Sequence, residues 1–305
     1  MKKYLLIIFL LLALIISGCQ PSQTTTTGPF KGGIDGLSIN FVNLAPISQF
    51  SQNDSVKVKV LLKNKGETQV TTGNAKSRMF GVNLDVFSLT PEYRSNLGPL
   101  IEIGPNQDGG EQEIELGTIK YKGQIINSQD FTLRSRLCYV YQTKSAANVC
   151  IKSALSQEAG ESTCDINGEK VTKGSVSGAP IQITSIKEQT RGSDQIRFDV
   201  TIENKGKGEV YPINSICKDL DDEVKRVESK NKINVKVIEP QGVICSFSSG
   251  EPSSEGIITL DSTNKKVLSC WKSVQDTQVE SLRLILDYVY RDQAQKQITI
   301  FETRR

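Results

Sequence analysis

Seven cysteines and no histidine set the chemistry open to this 305-residue chain. Without an imidazole, neither a Ser-His-Asp nor a Cys-His catalytic system can be assembled, and no metal can be held by histidine. Cys138, Cys150, Cys164, Cys217, Cys245 and Cys270 lie in the body of the chain, and Cys19 lies near its start. None belongs to a C-x-x-C pair, so a zinc ribbon or a thioredoxin-like couple is not supported. An even number of body cysteines favours disulfides, which persist in oxidising compartments. Glycosidases need only two carboxylates, so a hydrolase is a remote alternative, but no Asp or Glu here is placed to suggest one. No phosphate-cradling G-x-x-x-x-G-K-[ST] occurs. The expectation is a non-enzyme with no cofactor and no metal.

The context of Cys19 differs from the rest. Lys2 and Lys3 precede an apolar stretch, Tyr4 to Ile16, and then Ile16-Ser17-Gly18-Cys19. This is a charged region, a short apolar region and small residues before a cleavage point. Thirteen apolar residues are too few for a transmembrane helix, which needs about 20. The triplet before Cys19 resembles a prokaryotic lipobox. That resemblance implies cleavage before Cys19 and attachment of a diacylglyceryl group to its sulfur. Residues 1–18 are then the signal peptide, and the protein is extracytoplasmic and lipid-anchored to the cell membrane. An ordinary secretory signal, or a short membrane anchor, are the alternatives.

Removing residues 1–18 leaves 35 basic against 34 acidic residues, a net +1. That gives no electrostatic case for a nucleic-acid partner or a polybasic membrane surface. The remaining length suggests two domains. Residues 19–36, with Thr24-Thr25-Thr26-Thr27, read as a disordered tether.

An internal repeat organises the rest of the chain. Val56-Lys57-Val58-Lys59-Val60-Leu61-Leu62-Lys63-Asn64-Lys65-Gly66 aligns with Ile196-Arg197-Phe198-Asp199-Val200-Thr201-Ile202-Glu203-Asn204-Lys205-Gly206, 140 residues later. Alternation places Val56, Val58, Val60 and Leu62 on one face of a strand. Asn and Gly tolerate the left-handed backbone of a closing turn. Leu133 to Tyr141 matches Leu282 to Tyr290 at an offset of 149. Each is followed by a polar loop and a returning strand, Val149-Cys150-Ile151 or Ile298-Thr299-Ile300, which predicts two hairpins. Val82 to Val86 resembles Ile233 to Val237 more weakly. The expectation is all-β, with two tandem β-sandwiches at 37–155 and 179–305, joined by a connector at 156–178.

Strands ending in Asn-x-Gly, one per repeat, resemble immunoglobulin-like modules, and most of all the CARDB group of surface β-sandwiches. The sharp part of the likeness is Asn64-Lys65-Gly66 and Asn204-Lys205-Gly206. Such modules commonly lack cysteines, and this chain has six in the same region. The resemblance implies adhesion, spacing or protein interaction, with an envelope protein or a surface glycan as partner. The alternative is an accessory lipoprotein of an envelope assembly (secretion, pilus or S-layer associated) that docks by strand addition or an apolar patch.

Strand parity puts Cys138 and Cys150 on outward faces of the first predicted hairpin and opposite each other, so they are expected to pair. A slip in register would give one of them to Cys164. Cys245 with Cys270 is the second expected pair, and Cys164 with Cys217 follows by elimination. Asp219, Asp221, Asp222 and Glu223 lack calcium-loop spacing and read as a solvated helix start. Asp108-Gly109-Gly110-Glu111 reads as a plain turn. Trp271 is expected to pack on a disulfide, with a carbohydrate platform as the sharper alternative. Tyr139, Tyr141, Tyr288 and Tyr290 read as scaffold.

Overall fold

Alternating apolar residues let the longer strands bury one face, and sixteen strands in all are built among the described residues. The structure, a computed structural model, describes residues 28–152, 164–248 and 250–303. The first repeat holds β1 (Leu37–Phe41), β2 (Gln49–Ser51), β3 (Val56–Asn64), β4 (Ala75–Phe80), β5 (Arg94–Ser95), β6 (Glu111–Ile119), β7 (Ser128–Lys144) and β8 (Ala147–Ile151). The second holds β9 (Ile181–Arg191), β10 (Gln195–Asn204), β11 (Glu209–Pro212), β12 (Lys232–Glu239), β13 (Ile244–Cys245), β14 (Glu255–Thr259), β15 (Lys265–Ser273) and β16 (Gln278–Phe301). One 3-10 turn (Asp219–Asp221) and one helix, α1 (Glu223–Ser229), interrupt the second repeat. The chain is all-β.

Each repeat has its own small sheet, β1-β3-β6 in the first and β9-β10-β15-β13 in the second. In β3, Val56, Val58, Val60 and Leu62 are buried, as their alternation requires, and Ile196, Phe198, Val200 and Ile202 match them in β10. On the outer face of the first small sheet, Lys57, Lys59 and Lys63 pair across strands with Glu115, Glu113 and Glu111. These exposed pairs add little stability each, but they keep that face wet.

Opposite the small sheets lies one nine-stranded sheet, shared by both repeats. Its centre is the antiparallel pairing of β7 with β16, which runs from Lys144↔Ile285 to Phe301↔Ser128. The predicted hairpins do not form. β8 does not fold back on β7. It pairs with β16, Ala147↔Leu282 to Ile151↔Gln278, in the same register as β7. Ile298-Thr299-Ile300 is likewise the end of the single 24-residue β16, where it pairs with β7 and, in parallel, with β2. The physical reason lies in the two polar segments. Gln142 to Ala146 and Arg291 to Gln297 contain no Gly or Pro to reverse the chain. The strands therefore continue straight past the boundary of their own repeat.

The result is a reciprocal exchange. The end of β7 with β8 enters the second repeat, where Thr143 donates to the Ile181 carbonyl (2.7 Å) and the Cys150 amide donates to Glu188 (2.6 Å). The end of β16 enters the first. The 149-residue offset maps Tyr139 on Tyr288, Val140 on Val289 and Tyr141 on Tyr290. Since Val140 pairs with Val289, a local twofold axis passes through that rung. The weaker match fails, because Val82 to Val86 lies in turns while Ile233 to Val237 lies in β12.

Part of the predicted tether is also built in. Glu67 accepts the amides of Lys31 (2.9 Å), Gly32 (2.9 Å) and Gly178 (2.7 Å), and the Phe30 amide donates to the Gly174 carbonyl (3.0 Å). Residues 28–36 are thereby held against the connector. Its described part is fixed too: Lys170 bonds the Ile186 carbonyl through its amide and pairs with Glu188 at 3.0 Å. Residues 1–18 and Cys19 lie outside the described residues. Among the described residues, no helix is long and apolar enough to cross a membrane.

Candidate functional site

The axis has two faces, built by alternate residues of β7 and β16. The inner face carries Tyr139, Tyr141, Tyr288 and Tyr290, whose ring centres lie 5.5–6.4 Å apart around the axis. Here the Asn-Lys-Gly motifs find their purpose. Tyr141 donates its hydroxyl to Asn64 Oδ1 (3.0 Å) and accepts the Thr68 amide (3.3 Å). Tyr290 donates to Asn204 Oδ1 (3.1 Å) and accepts the Gly208 amide (2.8 Å). Each Asn side chain also accepts the amide of its own motif glycine and donates to a carbonyl four residues on. Burial raises the pKa of both tyrosines, so they serve as neutral donors.

Neither motif uses the left-handed backbone expected from its sequence, since no residue from 64 to 66 or from 204 to 206 has positive φ. The glycines are there for space. A Cβ on Gly66 would sit 2.3 Å from the Tyr141 hydroxyl and 2.4 Å from the Asp35 carbonyl, and one on Gly206 would sit 2.2 Å from the Tyr290 hydroxyl. Gly109 of the predicted plain turn packs on the Asn64 carbonyl with no room for a Cβ.

The outer face is not symmetric. Between β11 and β12 the second repeat leaves the sheet at Pro212, crosses the axis and returns at Lys232. This excursion carries Cys217, Leu220, Asp221 and α1 onto the first repeat. Leu220 and Tyr211 pack with Cys138 and Val289 in a small separate core. Cys138 bonds Cys217 there, and Cys150 bonds Cys164, so the expected pairs Cys138–Cys150 and Cys164–Cys217 are both overturned. Cys138 does point away from the tyrosines, as its parity required. With no hairpin, Cys150 sits far along the ladder, opposite Val279 rather than Cys138. Cys245 bonds Cys270 across the directly opposed rung of β13 and β15, as expected.

The acidic cluster divides. Asp222 caps α1, accepting the Lys225 amide at 3.0 Å, which fits the helix-start reading. Asp221 does something sequence spacing did not reveal. Its carboxylate meets Arg78 at 3.1 Å, Arg136, and Arg291 at 3.5 Å, and it accepts the Tyr93 hydroxyl at 3.2 Å. Arg78, Arg136 and Tyr93 come from the first repeat. Arg136 also lies over the Phe80 ring, 4.2 Å from its centre. Arg291 is buried and donates to the Leu220 carbonyl at 2.7 Å. One carboxylate thus gathers three guanidinium groups across the repeat boundary.

Beside this hub opens a polar cleft of about 270 Å³, lined by Arg136, Lys207, Glu209, Arg226, Arg291 and Asp292, with Gly208 and Gln293. Glu209 accepts from Tyr211 (2.6 Å) and pairs with Lys230 (2.8 Å); despite the opposing effect of burial, these partners lower its pKa. Burial raises the pKa of Asp292, against the amide of Gln293 and the charge of Lys207. Trp271 lies elsewhere, on the strand face opposite Cys270, with the Arg191 guanidinium 4.5 Å from its ring centre. That cation covers the ring rather than a disulfide.

No family model matches the chain, and no characterised protein matches it by sequence. Comparison with solved structures finds a likeness to the secreted serine protease VesC from Vibrio cholerae, at 12% identity and a TM-score of 0.19. The match covers 84% of this chain and 51% of that one, so the chain spans about half of VesC's length. At that TM-score the likeness carries no argument about fold or activity.

Proposed function

We propose that this chain is a non-enzymatic, lipid-anchored surface protein whose fused repeats act as one rigid protein-interaction module. The observation that carries this reading is the cysteine account. All six body cysteines are paired with one another, which leaves Cys19 as the odd thiol, in the sequence context of a lipid acceptor. Three disulfides also suit an oxidising, extracytoplasmic compartment. Rigidity is supported by the reciprocal strand exchange and by the Cys138–Cys217 bond across the axis. Interaction is favoured over plain spacing by Val224 and Val227, three residues apart on α1 and 66% and 65% exposed.

The anchor is tested by labelling cells with radioactive fatty acid. Label is expected on the chain and absent from Cys19→Ala, with that variant released from membranes or left unprocessed. A Cys19→Ala chain with unchanged mass and unchanged detergent partitioning overturns the anchor. Crosslinking in intact membranes tests the interaction. Recovery of a defined partner by the wild-type chain, lost with Val224→Lys/Val227→Lys, supports it, and recovery of no crosslinked species rejects it.

A further inference from the structure

We propose that the cleft between β7, β11, β16 and α1 binds a tetrahedral oxyanion, as a free ion or as the terminal group of an ester. The first ground is charge. Arg78, Arg136, Arg291, Arg226 and Lys207 converge on the hub and its cleft, against Asp221, Glu209 and Asp292, an excess of two positive charges. The second is how those carboxylates are committed. Asp221 is shared among three arginines, and Glu209 is held by Tyr211 and Lys230 and reaches Arg291 only at 4.0 Å. Asp292, the third, accepts the Gln293 amide.

The third ground is that two cations at the rim are left with little to hold. Lys207 forms no hydrogen bond or salt bridge among the described residues, although its charge acts on Asp292. Among the described residues, the Arg226 guanidinium has only Glu223, at 3.9 Å, a residue 84% exposed at its side chain. A planar guanidinium and a flexible ammonium then face one small polar space. Guanidinium groups bond oxyanions through paired donors, and an ammonium adds a point charge. Phosphate and sulfate groups match this set better than a carboxylate, because their three or more terminal oxygens can meet the Lys207 ammonium just before β11, the Arg226 guanidinium of α1 and the Arg291 guanidinium of β16 at once. The site stands whether or not the chain is lipid-anchored, since no residue of it comes from the N-terminal segment.

The test uses the full chain purified in detergent, with inorganic phosphate, sulfate and glycerol phosphate as probes and sodium chloride at matched ionic strength as the control. Calorimetry is expected to show saturable binding of at least one oxyanion, with a rise in melting temperature that chloride does not give. The rim substitutions Lys207→Gln and Arg226→Gln, neither at a buried position, are expected to leave the melting temperature without ligand unchanged and to weaken binding at least tenfold together. Glycerol phosphate binding as well as free phosphate assigns the site to an ester terminus; phosphate or sulfate binding alone assigns it to the free ion. The proposal is overturned if no oxyanion gives saturable heat, if chloride reproduces the thermal shift, or if the doubly substituted chain binds as the wild type does.

Discussion

Two rungs of the central ladder occupy the same place in the two repeats: Cys138 opposite Arg291, and Gln142 opposite Asp287. The local twofold exchanges them, yet they have nothing chemical in common. At the first, a disulfide and a buried guanidinium anchor the excursion of the second repeat. At the second, Gln142 donates to Asp287 at 2.7 Å, and among the described residues no such excursion lies over it. One residue away on each strand, the inner face repeats the same Asn-to-Tyr-to-turn bonds in both copies, with the Tyr-to-Asn distances within 0.1 Å and the turn amide 3.3 Å from Tyr141 against 2.8 Å from Tyr290. The lesson is a division of labour. The inner face is what the fold requires, so both copies keep it. The outer face is free to differ, and the first repeat's side has become the site of charge, crosslinking and the proposed oxyanion cleft.

Removing the asymmetric crosslink has the largest expected effect. Cys138→Ser/Cys217→Ser opens a link between residues 79 apart, which the chain-entropy view values at about 4.5 kcal/mol. Cys150→Ser/Cys164→Ser opens one only 14 apart, worth about 3 kcal/mol. Chemical denaturation of the two variants should rank them in that order. The reverse order would show that the excursion is held by the arginine hub and not by its disulfide.

The inner face is sharpened by paired glycine substitutions. Gly66→Ala and Gly206→Ala should each cost about 1–3 kcal/mol by overpacking. Gly66→Ala should cost more, because two of the atoms its Cβ would strike are backbone carbonyls, of Asp35 and Gly178. At Gly206 the second obstacle is a proline side-chain carbon, Pro180 Cβ. Equal melting temperatures for the two variants would contradict this ranking.

Tyr141→Phe and Tyr290→Phe come next. Each leaves an Asn oxygen and a turn amide short of a partner, at about 1–2 kcal/mol. Near-equal losses in urea denaturation are expected if the copies are energetically equivalent. A difference of more than about 1 kcal/mol would mean that one copy carries the axis.

The smallest effect is a pH dependence confined to the second repeat. Lys205, foremost, with Lys265 and Thr184, bonds the Glu203 carboxylate, and together they hold its pKa down to about 2 against the opposing effect of burial. A depressed carboxylate contributes stability above its unfolded pKa, near 4.5, and loses it as pH falls toward 2. The group is near the surface, so the contribution is about 1 kcal/mol or less. Glu203→Gln should flatten the fall in melting temperature between pH 5 and pH 2 by that amount. The first repeat has Lys63 at the equivalent position and no such carboxylate to titrate.

How much of this was legible in the sequence turns on range. The repeat was, because alternation and the Asn-Lys-Gly motifs are local and recur at fixed offsets. The direction taken after Tyr141 and Tyr290 was not, because a strand's alternation is the same whether it turns back or runs on. The one local signal was negative: no Gly or Pro between the paired strand segments. The disulfide error followed from that hairpin and not from parity, which placed Cys138 correctly. Asp221 was unreadable beside Asp219, Asp222 and Glu223, because two of its three arginines lie in the other repeat. Residues 28–36 look like a tether by composition, and only the distant carboxylate of Glu67 makes them part of the body.

The strand exchange also orders events in time. A chain emerging from a ribosome or an export channel delivers the first repeat long before residues 278–301. Yet that repeat lacks a neighbour for β2 and for half of β7 until those residues arrive. Its sandwich must wait, open on one side, through the synthesis of more than a hundred residues, and its contacts are among the most distant in sequence that the chain makes. The last strand to appear is thus the keystone of both repeats. A stalled or clipped product ending before residue 278 would expose two incomplete sheets at once, which makes late truncation the lesion this architecture tolerates least.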